Sequence, residues 1–432
     1  MDNQKGNKKV LEQVSGPIKE YFEKVEDGAG EFTPGEDKIR LNAPGYGAPE
    51  VLEALESLLS TWVTMGEKVY EFENQFADYL GAASGLMVNS GSSANLVALK
   101  TLRNATSEPK LEPGDEIIAP AATWSTSIAP IMDIGCMPVL VDSDSDTFNL
   151  DPEKVKDEIT SDTAAVMAVH LLGNPADLHA LQDICDAHNL ILIEDCAEAH
   201  GASMDGQKVG TFGTYGTYSF FFAHHISTIE GGMVVSSDAD RIEDAKPVRA
   251  HGWPREMDNS EEIAAEYPDF DERYLFIEPG LNVRPTEVQG AFGLHQMNRL
   301  EDYIQRRREN AERLNELLSG YSDVFRFQDE QDGGRHVYYG YPLLVRDGAP
   351  FTREQFTGYL EDQGIETRPI MGGNLAEHPA FSELRERAGD LETAQDIHER
   401  GVFFGNHHRM NQKHTSHIAD VIEEFLTEVV SS

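Results

Sequence analysis

The sequence predicts an α/β protein, with a large domain on a mostly parallel seven-stranded sheet and a smaller α+β C-terminal domain. Three observations predict it. Strand-like and helix-like segments alternate from about residue 50 to 250, as in a parallel sheet covered on both faces. A long Arg- and Glu-rich helical stretch over 285–318 then ends the alternation, and two shorter strand–helix units follow it.

Residues 1–38 form a charged N-terminal arm, amphipathic over 10–25 and then broken by Gly28-Ala29-Gly30 and Pro34-Gly35. Residues 39–285 form the large domain. Its predicted strands are 85–89, 116–120, 137–142, 164–170, 190–195, 215–222 and 232–236, with helical patterns over 93–102, 124–134, 152–159 and 178–188. Residues 286–432 form the small domain, with 338–345 followed by 353–363, and 366–370 followed by a C-terminal helix over 415–429. There is no internal repeat.

Length and charge limit the function. A chain of 432 residues has room for two or three domains and a large core. With 76 acidic against 35 basic residues and a net charge of −41, nucleic acid and anionic membranes would be repelled as partners. The acidity is spread along the chain, which suits a salt-rich cytoplasm; ordinary solubility is the plainer explanation. Cys136, Cys185 and Cys196 show no CxxC spacing and read as reduced thiols. A polar N-terminus and the absence of any long apolar run predict a soluble cytoplasmic protein.

Four segments carry candidate chemistry. Asn89-Ser90-Gly91-Ser92-Ser93-Ala94-Asn95 stands where a strand enters a helix, and small residues with free N–H groups there make an anion site. Such turns are also common without a ligand. Pro120-Ala121-Ala122-Thr123-Trp124 offers a flat π surface, or else a core tryptophan. Ile193-Glu194-Asp195-Cys196-Ala197-Glu198-Ala199-His200-Gly201 sets a carboxylate at the end of an apolar strand, where burial demands a partner. A helix cap is the bland alternative for Asp195. The fourth segment runs from Ser219 through His224 and His225 to a Glu230-Gly231-Gly232 turn. Adjacent histidines point apart, so no metal is expected there, whereas a single imidazole can shuttle protons.

In this order the segments resemble the sugar aminotransferases of the DegT/StrS type, over about residues 39–379. That pattern places Ser-Phe-x-x-x-Lys before a Gly-Glu-Gly-Gly-like turn. Here His224 occupies the lysine position, and no lysine lies between Lys208 and Lys246. The resemblance implies an aspartate-aminotransferase-like (fold type I) enzyme of pyridoxal 5'-phosphate. It implies Ser92, Ser93 and Ser219 at the cofactor phosphate, Trp124 on the ring face and Asp195 on the ring nitrogen. Glu198 stands where most family aminotransferases have Gln, beside the ring hydroxyl. The loop around Asn282 resembles one that crosses a dimer interface to the neighbour's phosphate, implying a homodimer with shared active sites. The 61–66 loop and the 368–374 stretch are candidate nucleotide-sugar contacts.

A lysine would tether the cofactor covalently; a histidine cannot. The resemblance is closest to the branch with His-His-Ile-Ser/Thr at this point, whose members are 3-dehydratases of nucleotide-linked 4-keto-6-deoxyhexoses. It implies pyridoxamine 5'-phosphate held without a tether, His224 as the proton carrier, loss of the C3 hydroxyl and release of ammonia. One such branch uses an iron–sulfur cluster on four cysteines. Three cysteines exclude that, leaving glutamate as the amino donor that regenerates the cofactor. The expected product is a 3,6-dideoxy-4-keto sugar for surface polysaccharide. Two other readings stay open: a lysine-independent nucleotide-sugar aminotransferase, and a silent cofactor- or sugar-binding member. Retention of Asp195, Trp124 and the phosphate loop argues against the silent one.

Overall fold

The computed structural model describes residues 2–28, 31–43, 45–105 and 108–430. Seven strands form the central sheet: β1 (Ser84–Val88), β2 (Glu116–Pro120), β3 (Met137–Val141), β4 (Thr163–Val169), β5 (Ile191–Asp195), β6 (Tyr215–Ser219) and β7 (Gly232–Ser236). Their spatial order is β1-β7-β6-β5-β4-β2-β3. Strands β2 to β6 are parallel, and β7 is antiparallel to both of its neighbours.

Successive residues of a strand face opposite sides, and here both sides are core. Ala165 and Met167 of β4 pack with Leu86, Ile117 and Ile193, while Val166 and Ala168 pack with Met87, Ile118 and Leu192. Helices Gly91–Asn104 and Ala239–Arg249 cover the first face, and helices Glu67–Leu80 and Leu178–His188 the second. Double burial is why these strands read as short apolar runs.

A second, antiparallel sheet follows, made of β8 (Phe325–Phe327), β9 (Tyr341–Val345), β10 (Thr367–Arg368) and β11 (Gly401–Phe404) in the order β8-β9-β11-β10. Phe356 and Phe425, from helices Arg353–Asp362 and Gln412–Val430, fill its core. Strands β8 and β11 have no counterpart among the expected segments. The expected helix over 285–318 is two helices, Glu287–Met297 and Leu300–Leu318. The N-terminal arm is one helix, Asp2–Gly28, packed on helix Ala48–Ser60, and residues 29 and 30 of its expected break lie outside the described residues.

The two sheets are joined where the 336–339 segment meets the turn after β4. Val337 N–H donates to the Gly173 carbonyl (3.0 Å) and Tyr339 N–H to that of Leu172 (2.8 Å). Gly173 has φ +89°, and a Cβ there would stand 2.9 Å from the Glu198 carbonyl oxygen. Glycine alone permits this approach, which brings Tyr339 to the C-terminal edge of the central sheet. The ends of β2, β4, β5 and β6 meet at that edge, where open α/β sheets place their ligands.

Candidate active site

A cavity of about 310 Å³ opens at this edge, lined among others by Ser92, Trp124, Asp195, Glu198, Ser219 and His224. They arrive from the ends of four strands, β1, β2, β5 and β6, and from the segments that follow them, so the topology assembles what the chain scatters. No lysine lines it among the described residues.

Asp195 ends β5 and is buried. Its Oδ2 accepts from Asn95 Nδ2 (2.8 Å) and Ser127 Oγ (2.7 Å), and its Oδ1 from Ala197 N–H (3.1 Å). Asn95 is itself fixed, accepting from Thr217 Oγ1 (2.5 Å). The preceding residue, Glu194, faces the other way. It accepts three backbone N–H groups, from Gly210 (2.6 Å), Phe212 (2.8 Å) and Gly213 (2.8 Å), with His170 Nε2 at 3.3 Å.

Glu198 accepts the Leu172 N–H at 2.7 Å. Burial pushes its carboxyl up to about 8, helped by the Asp195 charge and opposed by that hydrogen bond. Leu172 has φ +57°, a left-handed conformation costly for a branched side chain and held here beside the cavity.

The turn after β6 carries the histidine pair. His225 is buried, and its Nε2 donates to the Val337 carbonyl (3.0 Å). His224 lines the cavity with its ring 5.3 Å from that of Tyr339, and its Nδ1 is buried without a hydrogen-bond partner. Burial, and then the Arg307 guanidinium, push its imidazole down to about 3. Arg307 is held behind the cavity by the Tyr338, Tyr339 and Asn406 carbonyls.

Ser90 caps helix Gly91–Asn104, accepting the Ser93 N–H at 3.1 Å. Ser92 is exposed at the cavity, and Ser219 faces the same helix start. A Cβ on Gly91 would collide with the Ser219 side chain, so glycine lets strand end and helix start close up. Trp124 is 58% exposed at the rim.

Two expected residues stand apart. Ser93 does not line the cavity; its hydroxyl donates to Asn89 Oδ1 (2.7 Å) inside the helix cap. Asn282 is exposed outside the cavity and accepts from Arg284 Nε (3.2 Å). Arg284 and Arg255 lie over the Trp253 ring, at 5.8 and 4.1 Å from its centroid. Sequence reasoning missed Ser127, His170 and Tyr339 in the site, and gave Asn95 and Met371 no role beyond the segments that contain them. Asn95 ends one quoted motif and Ser127 follows another by three residues, close enough to have been found; Tyr339 comes from the far side of the inter-sheet junction and carries no local signal.

Comparison with known proteins gives concordant results. The profile of the DegT/DnrJ/EryC1/StrS aminotransferase family matches residues 46–423. A GDP-4-keto-6-deoxy-D-mannose 3-dehydratase from Yersinia pseudotuberculosis is 38% identical over 380 residues, covering 86% of this chain and 95% of the relative. The lipopolysaccharide biosynthesis protein RfbH of Salmonella typhimurium is 30% identical, over 96% of this chain and 98% of its own. A crystal structure of GDP-4-keto-6-deoxymannose-3-dehydratase with a trapped PLP-glutamate geminal diamine superposes with a TM-score of 0.81, at 32% identity over 89% of this chain and 100% of that one.

Proposed function

We propose that this chain, which belongs to the DegT/DnrJ/EryC1/StrS aminotransferase family, is a PLP-dependent 3-dehydratase of a nucleotide-linked 4-keto-6-deoxyhexose. The observation that carries it is a histidine, in the place of the family's lysine, facing a lysine-free cavity in a chain similar to enzymes of that name.

The residues present fit the cofactor. The capped helix start with Ser92 and Ser219 offers amides and hydroxyls to a phosphate, the exposed Trp124 offers a ring face, and Asp195 is a fixed anion at the cavity floor. Ser93 supports the cap, and Asn282 serves the phosphate of a neighbouring subunit in a homodimer. Bound in its pyridoxamine form, the cofactor supplies an amine for the sugar's C4 ketone and an electron-accepting ring, with glutamate restoring the amine.

Asp195, oriented by Asn95 and Ser127, keeps a proton on the ring nitrogen. Glu198 stays protonated at neutral pH and donates a hydrogen bond to the ring oxygen, where a carboxylate would repel it. The His224 imidazole is neutral, with no hydrogen bond fixing Nδ1, so it can take a proton and pass it to the departing C3 hydroxyl. The acidic surface suits a salt-rich cytoplasm, and the product suits a surface polysaccharide, as with the lipopolysaccharide relative.

The test is to incubate the protein with pyridoxal phosphate, glutamate and GDP-4-keto-6-deoxymannose in high salt, following ammonia and sugar mass. Ammonia with loss of the C3 hydroxyl is expected. An aminosugar without ammonia would overturn the dehydratase in favour of an aminotransferase.

A further inference from the structure

A second cavity, of about 970 Å³, shares no lining residue with the first. Ligand sites commonly span ~300 to 1,000 Å³. Three segments wall it: residues 31–43 with Gly45 and Tyr46, the start of helix Leu300–Leu318 with Arg299 and Tyr303, and the 407–414 segment after β11.

In a chain of net charge −41, this cavity gathers four basic side chains. Lys38, Arg40, Arg299 and Arg409 converge there with His407 and His408. Among the described residues, neither Arg40 nor Arg409 has an acidic ion-pair partner, in a protein with two acids for every base. Three acids also line the cavity. Glu31 is paired with Lys413 (2.6 Å), Asp37 accepts the Thr33 N–H (2.8 Å), and Glu36 lies beside them.

The histidines report the local field. His407 is more than nine-tenths buried, and its Nδ1 has no partner. His408 stacks on Tyr303 with ring centroids 3.8 Å apart. Burial first, then the Arg307 charge with Arg409 in support, push His407 down to about 3 and His408 to about 2. A bound anion would oppose the Arg307 and Arg409 charges and so raise both rings against their burial.

We infer that this cavity is a binding site for a small phosphorylated polyanion. Guanidinium groups match phosphoryl oxygens in geometry and charge, and with Glu31 paired to Lys413 the cations Lys38, Arg40, Arg299 and Arg409 outnumber the remaining acids Glu36 and Asp37. The dehydratase reading plays no part in this, and the test needs no turnover.

The PLP-loaded protein is titrated calorimetrically with pyrophosphate and separately with GDP, near pH 6, at constant chloride and in buffers of different ionisation enthalpy. The double variant Arg40→Gln/Arg409→Gln is treated alike. The parent is expected to bind with proton uptake. In the double variant affinity should fall by at least about tenfold and the uptake should vanish, since a hydrogen bond to a charged group is worth that factor or more. The tighter probe identifies whether free or nucleoside-borne phosphate is held. Unchanged affinity and uptake in the double variant would overturn the site. So would loss of all binding in Arg368→Ala, which would place the anion near the sugar-nucleotide stretch instead.

Discussion

His224 and His225 are neighbours in the chain, yet they belong to different parts of the molecule's chemistry. His225 is tied to the Val337 carbonyl, which fixes its proton on Nε2. Two other histidines near the junction are held at both ring nitrogens. His170 accepts the Ala176 N–H at Nδ1 and turns Nε2 to Glu194; His336 accepts the Tyr338 N–H at Nδ1 and turns Nε2 to Gln328. Neither His224 nor His225 has a partner at Nδ1; what sets His224 apart is that it lines the cavity. Glu194 and Asp195 repeat the contrast one strand away. Glu194 and His225 are turned to backbone groups of the sheet edge and junction, and Asp195 and His224 are turned to the cavity.

The sharpest way to break that contrast is to exchange the fates of the histidines. His224→Asn should lower the dehydration rate by ~10³-fold with little change in melting temperature. His224→Lys should also abolish dehydration, and should bring a new near-ultraviolet or visible absorbance with PLP. A His224→Lys protein that dehydrates like the parent would remove the role assigned to His224.

Next in size is the carboxylate pair. Glu194→Ala orphans three buried N–H groups and should destabilise the fold by about 4 kcal/mol. Asp195→Asn should cost less stability but at least about a hundredfold in rate, by loss of a preorganised charge. Urea unfolding and turnover, measured on both variants, separate the two; similar profiles would erase the distinction. His225→Ala should cost about 1–3 kcal/mol by leaving the Val337 carbonyl unpaired, with near-normal turnover in the molecules that stay folded.

The sequence made these two classes unequally legible. Strands β2 to β5 could be read because both faces are core, so a run of at least three consecutive apolar residues marks each one. Strands β8 and β11, Phe-Arg-Phe and Gly-Val-Phe-Phe, are too short for a period, and only pairing with β9 makes them strands. The break between the two helices at 298–299 carries no Gly or Pro, and the charged pattern runs through it unmarked. In the cavity, Trp124, Asp195, Ser219 and His224 lie at strand ends, where motifs are contiguous. Tyr339 arrives through the Gly173 contact, a tertiary event that no local pattern encodes. Asn282 lies on the outer surface of the single chain, so its assignment rests on a second subunit.

The smallest expected effect distinguishes Glu198 from His224 by the sign of their pH dependence in the cofactor-free protein. His224 falls from its usual value near 6.5 to about 3 on folding. The unfolded chain therefore binds more protons between those values. That contribution to stability is complete above about 6.5 and lost as pH falls toward 3. Glu198 does the opposite. Its carboxyl rises from 4.5 to about 8, so the folded protein holds the extra proton and stability declines as pH climbs through that window. Denaturation of the apoprotein across pH 4 to 8 should thus give Glu198→Gln a more positive slope than the parent, and His224→Asn a less positive slope below pH 6.5. Equal slopes in all three would mean that neither group is perturbed by its burial, and the division between a protonated Glu198 and a neutral His224 would lose its physical basis.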